Sequence, residues 1–233
     1  MSQAVSFPAF VQSTNSFNVK NGVKCLVYGM PSAGKTELLS TLPNPIILSH
    51  EGGLLTLRKK NIPFIKIEGM ASLQYYTKWL TETREGQSFT SIAFDSLTEI
   101  AEVCLQEKEA TIKDGRATYK EMGKQIEDLI RFYRDLPGRN VVFTAQQEWE
   151  KDEVSGLMHN RPAMPGKKLT GRLPYFFDEV FQAVRFNVPN GPDQFGLRTK
   201  PDQANIAKDR SGVLDEWERP DMMNILNKIS AKV

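Results

Sequence analysis

The residues most able to do chemistry lie in one short stretch, GMPSAGKT, from Gly29 to Thr36. Two glycines separated by four residues and followed by lysine and threonine match a phosphate-binding loop, whose backbone amides surround phosphate oxygens. Gly29 and Gly34 permit turns that a side chain would block. Lys35 is expected to reach the β- and γ-phosphates, and the Thr36 hydroxyl is expected to bind Mg²⁺. The stretch therefore predicts a nucleotide site, with ATP and Mg²⁺ as cofactors.

The flanks of this loop have the form that such a loop requires. A strand pattern, VKCLVYG, precedes it and a helical pattern, GKTELLSTL, follows it. The N-terminus of that helix adds partial positive charge. The residues predicted to contact the nucleotide are Gly29, Pro31, Ser32, Ala33, Gly34, Lys35, Thr36 and Glu37.

Three further polar residues stand at or just past the ends of predicted strands. Asp95 ends SIAFD and is predicted to bind the metal together with Thr36. Glu51 follows the strand in IILSHEGG and is the candidate base that activates a water molecule. Gln146 ends NVVFTAQ, where its amide could contact the γ-phosphate and signal its presence to the next loop. Because parallel strands present their carboxyl ends at one edge, these side chains are expected to lie together.

The elements that must position them alternate between strand and helix patterns. This alternation predicts an α/β fold with a mostly parallel twisted sheet flanked by helices. Strand patterns in succession near the C-terminal side predict an antiparallel extension of the sheet. A helical segment from Thr98 to Leu136 is expected to break near Gly115. Residues 1–21 are interpreted as an N-terminal arm that orders on docking, and residues 22–233 as one domain.

Composition excludes some classes of protein. The 233 residues are 40% hydrophobic and 25% charged, as in ordinary globular proteins, and the net charge of +2 gives no general attraction to nucleic acid. Cys25 and Cys104 are predicted to be buried thiols in a reducing compartment. The sequence shows neither a signal-peptide pattern nor an apolar run long enough for a membrane span, so we expect a cytoplasmic protein.

The motifs GMPSAGKT, IILSHEGGL, SIAFDSL and VVFTAQQ together resemble the RecA-like ATPase core over Val23 to about Phe186. More narrowly, they resemble phage-encoded RecA-like nucleotide-binding proteins, a group that includes single-strand annealing recombination proteins. The resemblance implies a RecA-like P-loop fold. It also implies that Glu51 is the catalytic base, Asp95 the metal-side carboxylate and Gln146 the sensor of the terminal phosphate.

In that family two loops face single-stranded DNA, and they correspond here to Glu107–Thr118 and Glu148–Lys168. Basic side chains attract backbone phosphates, and Trp149 could stack on a base. The alternative is that both regions are solvated loops. The candidate DNA-binding residues are Lys113 and Arg116 in the first region and Lys151, Arg161, Lys167, Lys168 and Arg172 in or just after the second.

The stretch IAKDRSG, from Ile206 to Gly212, resembles a K-x-R-x-G element of RecA-like ring ATPases. There the basic pair reaches the nucleotide of the neighbouring subunit, which would give Lys208 and Arg210 a catalytic role in trans. A mixed-charge turn around Asp209 is the alternative. The first interpretation predicts a homo-oligomer, either a ring or a filament.

The resemblance as a whole implies an ATP-hydrolysing protein that assembles on single-stranded DNA in phage-type recombination, annealing or repair. A single-stranded-DNA-binding protein is a further candidate partner. The chain length favours a minimal DNA-binding or annealing protein over a full recombinase. The alternatives are a minimal ring ATPase or helicase loader, a nucleotide-gated binding module, and a small-molecule kinase; the kinase is disfavoured because no arginine-rich lid is evident.

Overall fold

The structure is a computed structural model that describes residues 22–50, 52–151, 156–189 and 191–231. Within them one mixed sheet is flanked by helices on both faces. The strands are β1 (Lys24–Gly29), β2 (Pro45–Ser49), β3 (Phe64–Lys66), β4 (Ser91–Asp95), β5 (Asn140–Lys151), β6 (Met158–Pro162), β7 (Glu179–Phe186), β8 (Gln194–Arg198), β9 (Lys208–Asp209) and β10 (Trp217–Glu218). The helices are α1 (Lys35–Leu39), α2 (Met70–Glu82), α3 (Arg84–Gln87), α4 (Leu97–Glu109), α5 (Gly115–Arg134), α6 (Lys167–Arg172) and α7 (Met222–Ala231), and two 3-10 helices span Leu54–Leu57 and Leu173–Phe176.

The strand order is β10-β8-β7-β1-β5-β4-β2-β3, with β6 beside β5 and β9 beside β7. From β3 through β7 the neighbouring strands are parallel, whereas β8, β9 and β10 pair antiparallel at the other side. This arrangement confirms the predicted α/β class and its antiparallel extension. The strand that precedes the GMPSAGKT loop, β1, lies near the centre of the sheet.

Each face of the sheet has its own hydrophobic core. On one face, the rings of Phe94 and Phe143 stack at 4.5 Å, and Tyr133 of α5 packs edge-on against Phe94 at 4.7 Å. On the other face, α1 and α7 cover the sheet with buried side chains such as Leu38 and Ile225. Burying each such side chain stabilises the fold by about 1.5–3 kcal/mol.

The long helical segment is divided in two, as its sequence predicts. Ser96 caps α4 by accepting a hydrogen bond from the Glu99 amide. Asp114 caps α5 by accepting one from the Arg116 amide, and Gly115 is the first residue of that helix. Side-chain caps of this kind satisfy amides that have no partner within the helix.

The region after Gln146, expected as a loop, contains two antiparallel strands, which we call the hairpin. Strand β5 continues to Lys151 and pairs antiparallel with β6. The short helix α6 and the 3-10 helix that follow were not anticipated.

Cys25 and Cys104 are free and buried, as predicted. Burial raises the pKa of the Cys25 thiol far above its usual range. None of the helices in the described ranges is both long and apolar enough to cross a membrane. The predicted arm, residues 1–21, lies outside the described residues, so its docking role stays a prediction.

Candidate active site

The GMPSAGKT loop follows β1 directly and leads into α1. Ser32 and Gly34 have positive φ angles of 62° and 84°, which turn the backbone back on itself. The Ala33 amide donates to the Met30 carbonyl at 3.2 Å. The Lys35 ammonium donates to the carbonyl oxygens of Gly29 at 2.7 Å and Met30 at 3.0 Å. The lysine is therefore folded over the loop, where a polyphosphate would meet it.

Gly29 is required by close packing. A Cβ atom at this position would lie 2.5 Å from the backbone oxygen of Ala183 on β7, so any side chain would displace a strand. Gly34 serves as the N-cap of α1 in a left-handed conformation that glycine adopts without strain. The two glycines thus fix the loop for different reasons.

Asp95 lies beside the loop, at the carboxyl end of β4. Its Oδ2 accepts a hydrogen bond from the Thr36 hydroxyl at 2.8 Å, and its Oδ1 accepts one from the Thr144 hydroxyl at 2.5 Å. A hydroxyl and a carboxylate so close together are hard oxygen ligands that suit Mg²⁺, which completes its shell with water and phosphate. The donor set therefore fits the predicted ion, and Thr144 orients the carboxylate.

Gln146 stands next to the loop because its register partner in β1 is Gly29. Its side-chain amide donates to the Glu99 carboxylate at 2.7 Å, and its backbone amide donates to the Thr98 hydroxyl at 3.0 Å. The Ala163 amide, just past β6, donates to the Gln146 carbonyl at 2.7 Å. The predicted sensor is thus joined to the first turn of α4 and to the return strand of the hairpin.

Glu51 lies outside the described residues, and its role as the base stays a prediction. The strand before it ends at Ser49, whose register partner is Asp95. Next to it, His50 donates through Nδ1 to the Ile67 carbonyl at 2.9 Å. The chain thus leaves β2 at the same edge as the loop and Asp95.

Lys208 and Arg210 lie near the amino ends of β1 and β7, at the opposite end of these strands from the loop. The Lys208 ammonium donates to the Phe177 carbonyl at 2.6 Å, and burial, followed by the charge of Arg210, lowers its pKa. The exposed Arg210 guanidinium pairs with Asp178 at 2.8 Å. Lys208 therefore has a bonding role in its own chain, and Arg210 is the more accessible member of the pair. Action in trans remains a prediction for both.

Asp209 stabilises the turn between Lys208 and Arg210, which agrees with the alternative interpretation of a mixed-charge turn. Its buried carboxylate accepts hydrogen bonds from Lys200, the Ser211 hydroxyl and the amides of Gly212 and Leu214. Burial alone would raise its pKa, but these donors hold the pKa at about 2.

Arg161 is placed differently from the expectation. Its side chain is only 11% exposed and is paired with Glu148, at 2.8 Å, and with Glu150 across the hairpin. This placement argues against a DNA contact, because binding a phosphate would leave two carboxylates unpaired. Trp149, on the opposite face of β5, is 60% exposed, and Lys151 is also exposed.

Other candidate DNA contacts lie on α5 and α6, which approach each other where Gly166 meets Tyr119. A Cβ atom on Gly166, which precedes α6, would lie 3.2 Å from the half-exposed ring of Tyr119 on α5. Arg116 lies one turn before Tyr119, and Lys168 lies in the first turn of α6; both are exposed. We call these three side chains, Arg116, Tyr119 and Lys168, the basic platform.

Three further candidates are not part of this platform. Lys113 is exposed before α5, and Lys167 is the first residue of α6. Arg172 is exposed at the end of α6 and pairs with Glu127 at 2.7 Å.

Sequence reasoning missed Thr98, Glu99, Thr144 and Phe195. Thr98, Glu99 and Thr144 are ordinary helix and strand residues in sequence, and only the register of β4 with β5 brings them to Asp95 and Gln146. Phe195 of β8 lies against Gly34, far away in the chain.

The sheet, the loop and the Thr36–Asp95 contact define a P-loop nucleotide-binding domain of the mixed α/β class. The chain belongs to the AAA_24 family, described as an AAA domain, whose model matches residues 21–211. It is therefore a P-loop ATPase domain.

The solved structures that resemble this chain include the following two. One is the KaiC-like protein PH0186 from Pyrococcus horikoshii OT3, with 11% identity, 76% of this chain and 78% of that chain covered, and a TM-score of 0.45. The other is the flagellar accessory protein FlaH from Methanocaldococcus jannaschii, with 13% identity, 77% and 78% covered, and a TM-score of 0.40. No curated protein matches the sequence.

Proposed function

We propose that this protein binds and hydrolyses ATP while it assembles on single-stranded DNA in phage-type recombination, annealing or repair. The observation that carries the ATP part is the 2.8 Å contact between Thr36 and Asp95 beside a glycine-formed loop. It joins the two protein ligands that a metal-bound triphosphate needs.

The residues of this edge divide the chemistry between them. Lys35 binds the terminal phosphates. Thr36 and Asp95 would hold Mg²⁺, which would neutralise charge on the phosphate oxygens. Glu51 accepts a proton from the attacking water. Gln146 contacts the γ-phosphate through its amide.

Strand continuity supports a link from ATP to DNA. The same strand, β5, carries Gln146 at the nucleotide edge and the exposed Trp149 three residues further on. A change at Gln146 can therefore move the hairpin on which a base would stack. The basic platform and Lys151 supply positive charge for the phosphates of the strand.

Assembly would complete each site with Arg210 from a neighbouring subunit, so hydrolysis would depend on oligomers that form on the strand. A single-stranded-DNA-binding protein would bind the same DNA strand.

A helicase loader would use the same ATP site. Unwinding of a partial duplex without annealing of complementary strands would favour this alternative function.

The test is ATP turnover measured with and without single-stranded DNA at two salt concentrations. We expect DNA to stimulate phosphate release and the stimulation to weaken at the higher salt, because phosphate contacts are screened. Lys35→Ala, the control, should lose turnover. Turnover that is indifferent to DNA at both salt concentrations would contradict the DNA part, and equal turnover in Lys35→Ala would contradict the ATP part.

A further inference from the structure

We infer that the base of the bound nucleotide stacks on the ring of Phe195, an inference that rests on the proposed ATP site. The ring carbon Cδ1 lies 3.3 Å from the position that a Cβ atom on Gly34 would occupy. A phenyl ring thus covers the outer side of the loop glycine that precedes Lys35.

Core packing does not account for this ring. Phe195 is 41% exposed, whereas Leu197, two residues further along β8 and on the same face, is 1% exposed and packs in the core beneath α1. Leaving a phenyl group half in water forgoes part of its hydrophobic stabilisation. The position therefore offers an apolar surface to something that lies beside the loop.

The strand order gives the direction in which a triphosphate lies. Asp95 belongs to β4, two strands from β1 on one side, and Phe195 belongs to β8, two strands from β1 on the other. The metal-bound end of the triphosphate belongs at Thr36 and Asp95. The nucleoside, at the opposite end of the phosphate chain, then points toward β8 and its aromatic ring.

The surroundings of Phe195 suit a nucleobase better than an aliphatic group. Arg185 is its register partner on β7, on the same face of the sheet. The Arg185 Nε donates to the Asp193 carboxylate at 2.7 Å. A base stacked on the ring would have a donor and an acceptor near its polar edge, which a nucleotide-specific site requires.

Binding of ATP and of inorganic tripolyphosphate, measured by calorimetry with Mg²⁺, separates the base from the phosphates. Stacking on an aromatic side chain contributes about 1–3 kcal/mol per base, so Phe195→Ala should raise the Kd for ATP roughly 5- to 150-fold. The Kd for tripolyphosphate should stay within about twofold. Phe195→Leu keeps apolar volume without a π-face, so it should also weaken binding of ATP but not of tripolyphosphate.

Phe195→Trp should retain ATP binding, and its added fluorescence relative to wild type should be quenched by ATP but not by tripolyphosphate. Phe186→Ala is the matched control, since Phe186 is 40% exposed on the opposite face, against Trp217. It should leave both affinities unchanged.

Unchanged ATP affinity in Phe195→Ala, or an equal loss for ATP and tripolyphosphate, would overturn the assignment. A wild-type protein that binds ATP no more tightly than tripolyphosphate would overturn the assignment of Phe195 while sparing the phosphate loop. A wild-type protein that binds neither ATP nor tripolyphosphate would overturn both the ATP site and the role of Phe195.

Discussion

Two buried or half-buried acids show how single residues in this fold are specialised. Asp95 accepts hydrogen bonds from two threonine hydroxyls at the nucleotide edge, so its charge is solvated by groups that leave it able to bind a cation. Glu179, 1% exposed at the start of β7, has the opposite environment. Burial, followed by the nearby charge of Asp209, raises its pKa to about 8. The first acid is thus placed where it can bind a cation, whereas burial disfavours the charged form of the second.

Glu179→Gln should change how stability depends on pH. A glutamate whose pKa is higher in the folded than in the unfolded protein binds more protons when folded, so its contribution to stability falls as pH rises from about 4.5 to about 8. As pH rises through this window, Glu179→Gln should therefore become more stable relative to wild type. The difference in the free energy of unfolding should grow by roughly 2–5 kcal/mol. Urea unfolding at pH 5.5, 7 and 8.5 measures this difference.

The exposed Glu85 on α3 provides the control. Glu85→Gln should stay within about 0.5 kcal/mol of wild type at each pH. A constant difference between Glu179→Gln and wild type over the three pH values would show that Glu179 ionises as readily in the folded protein as in the unfolded one.

At the scale of elements, β5 serves two purposes. Its first half is a buried parallel strand between β1 and β4, and its second half is one arm of the exposed hairpin with β6. Gln146 stands where the two halves meet. The DNA surface that we propose is therefore built on the element that borders the nucleotide, with α5 and α6 beside it.

The sequence predicted those elements whose signal is local. The glycine pattern, the strand end at Asp95 and the division of the long helical segment depend on neighbours in the chain, and each is found where expected. The strand end predicted at Gln146 was wrong, because β5 continues to Lys151. The hairpin register and the Phe195–Gly34 contact could not be predicted, since they depend on which strands become neighbours. The pairing of Arg161 with Glu148 and Glu150 was missed for the same reason, because it requires the cross-strand register.

The basic platform can be tested as a unit. Arg116→Ala/Lys168→Ala removes two exposed cations on α5 and α6 and should weaken binding of an oligonucleotide without changing its sequence preference. The slope of log affinity against log salt should fall by about 0.7 for each phosphate of a single strand that the variant no longer neutralises. Fluorescence anisotropy over a range of salt concentrations measures both quantities.

Lys78→Ala/Arg84→Ala is the matched double control, since it removes one lysine and one arginine that are exposed on α2 and α3. This control should bind DNA as wild type does. If both double variants bind DNA more weakly by the same factor, the attraction is a general effect of charge. That result would contradict a DNA site at the basic platform.

At the scale of the whole molecule, the nucleotide edge and Arg210 lie at opposite ends of the parallel strands. The loop and Asp95 lie at the carboxyl end of the parallel strands, whereas the Arg210 amide bonds to Asp178, whose amide bonds to Lys24 at the start of β1. Gly29 lies five residue steps along β1 from Lys24, a span of about 16 Å. An arginine side chain does not cover that distance, so a catalytic Arg210 has to serve the site of another subunit.

Complementation between subunits tests this geometry. Arg210→Ala and Lys35→Ala should each lose most ATP turnover alone, yet mixing them should restore part of it. In a head-to-tail assembly, roughly a quarter of the interfaces in an equal mixture combine an intact loop with an intact arginine. Phosphate release from mixed and separate samples, with Arg84→Ala as the control, gives the result. Absence of any gain on mixing, in samples shown to form mixed assemblies, would rule out action in trans.

The most direct test of the nucleotide edge is calorimetric titration of ATP into wild type and Asp95→Asn, with and without Mg²⁺. Asparagine keeps the size of the side chain and an oxygen that can accept from Thr144, but it lacks the charge that a divalent cation requires. We predict that Mg²⁺ strengthens ATP binding to wild type and has little effect on Asp95→Asn, which should also lose hydrolysis by about 100-fold or more. Equal Mg²⁺ dependence and equal turnover in the two proteins would contradict the assignment of this edge as the ATP site.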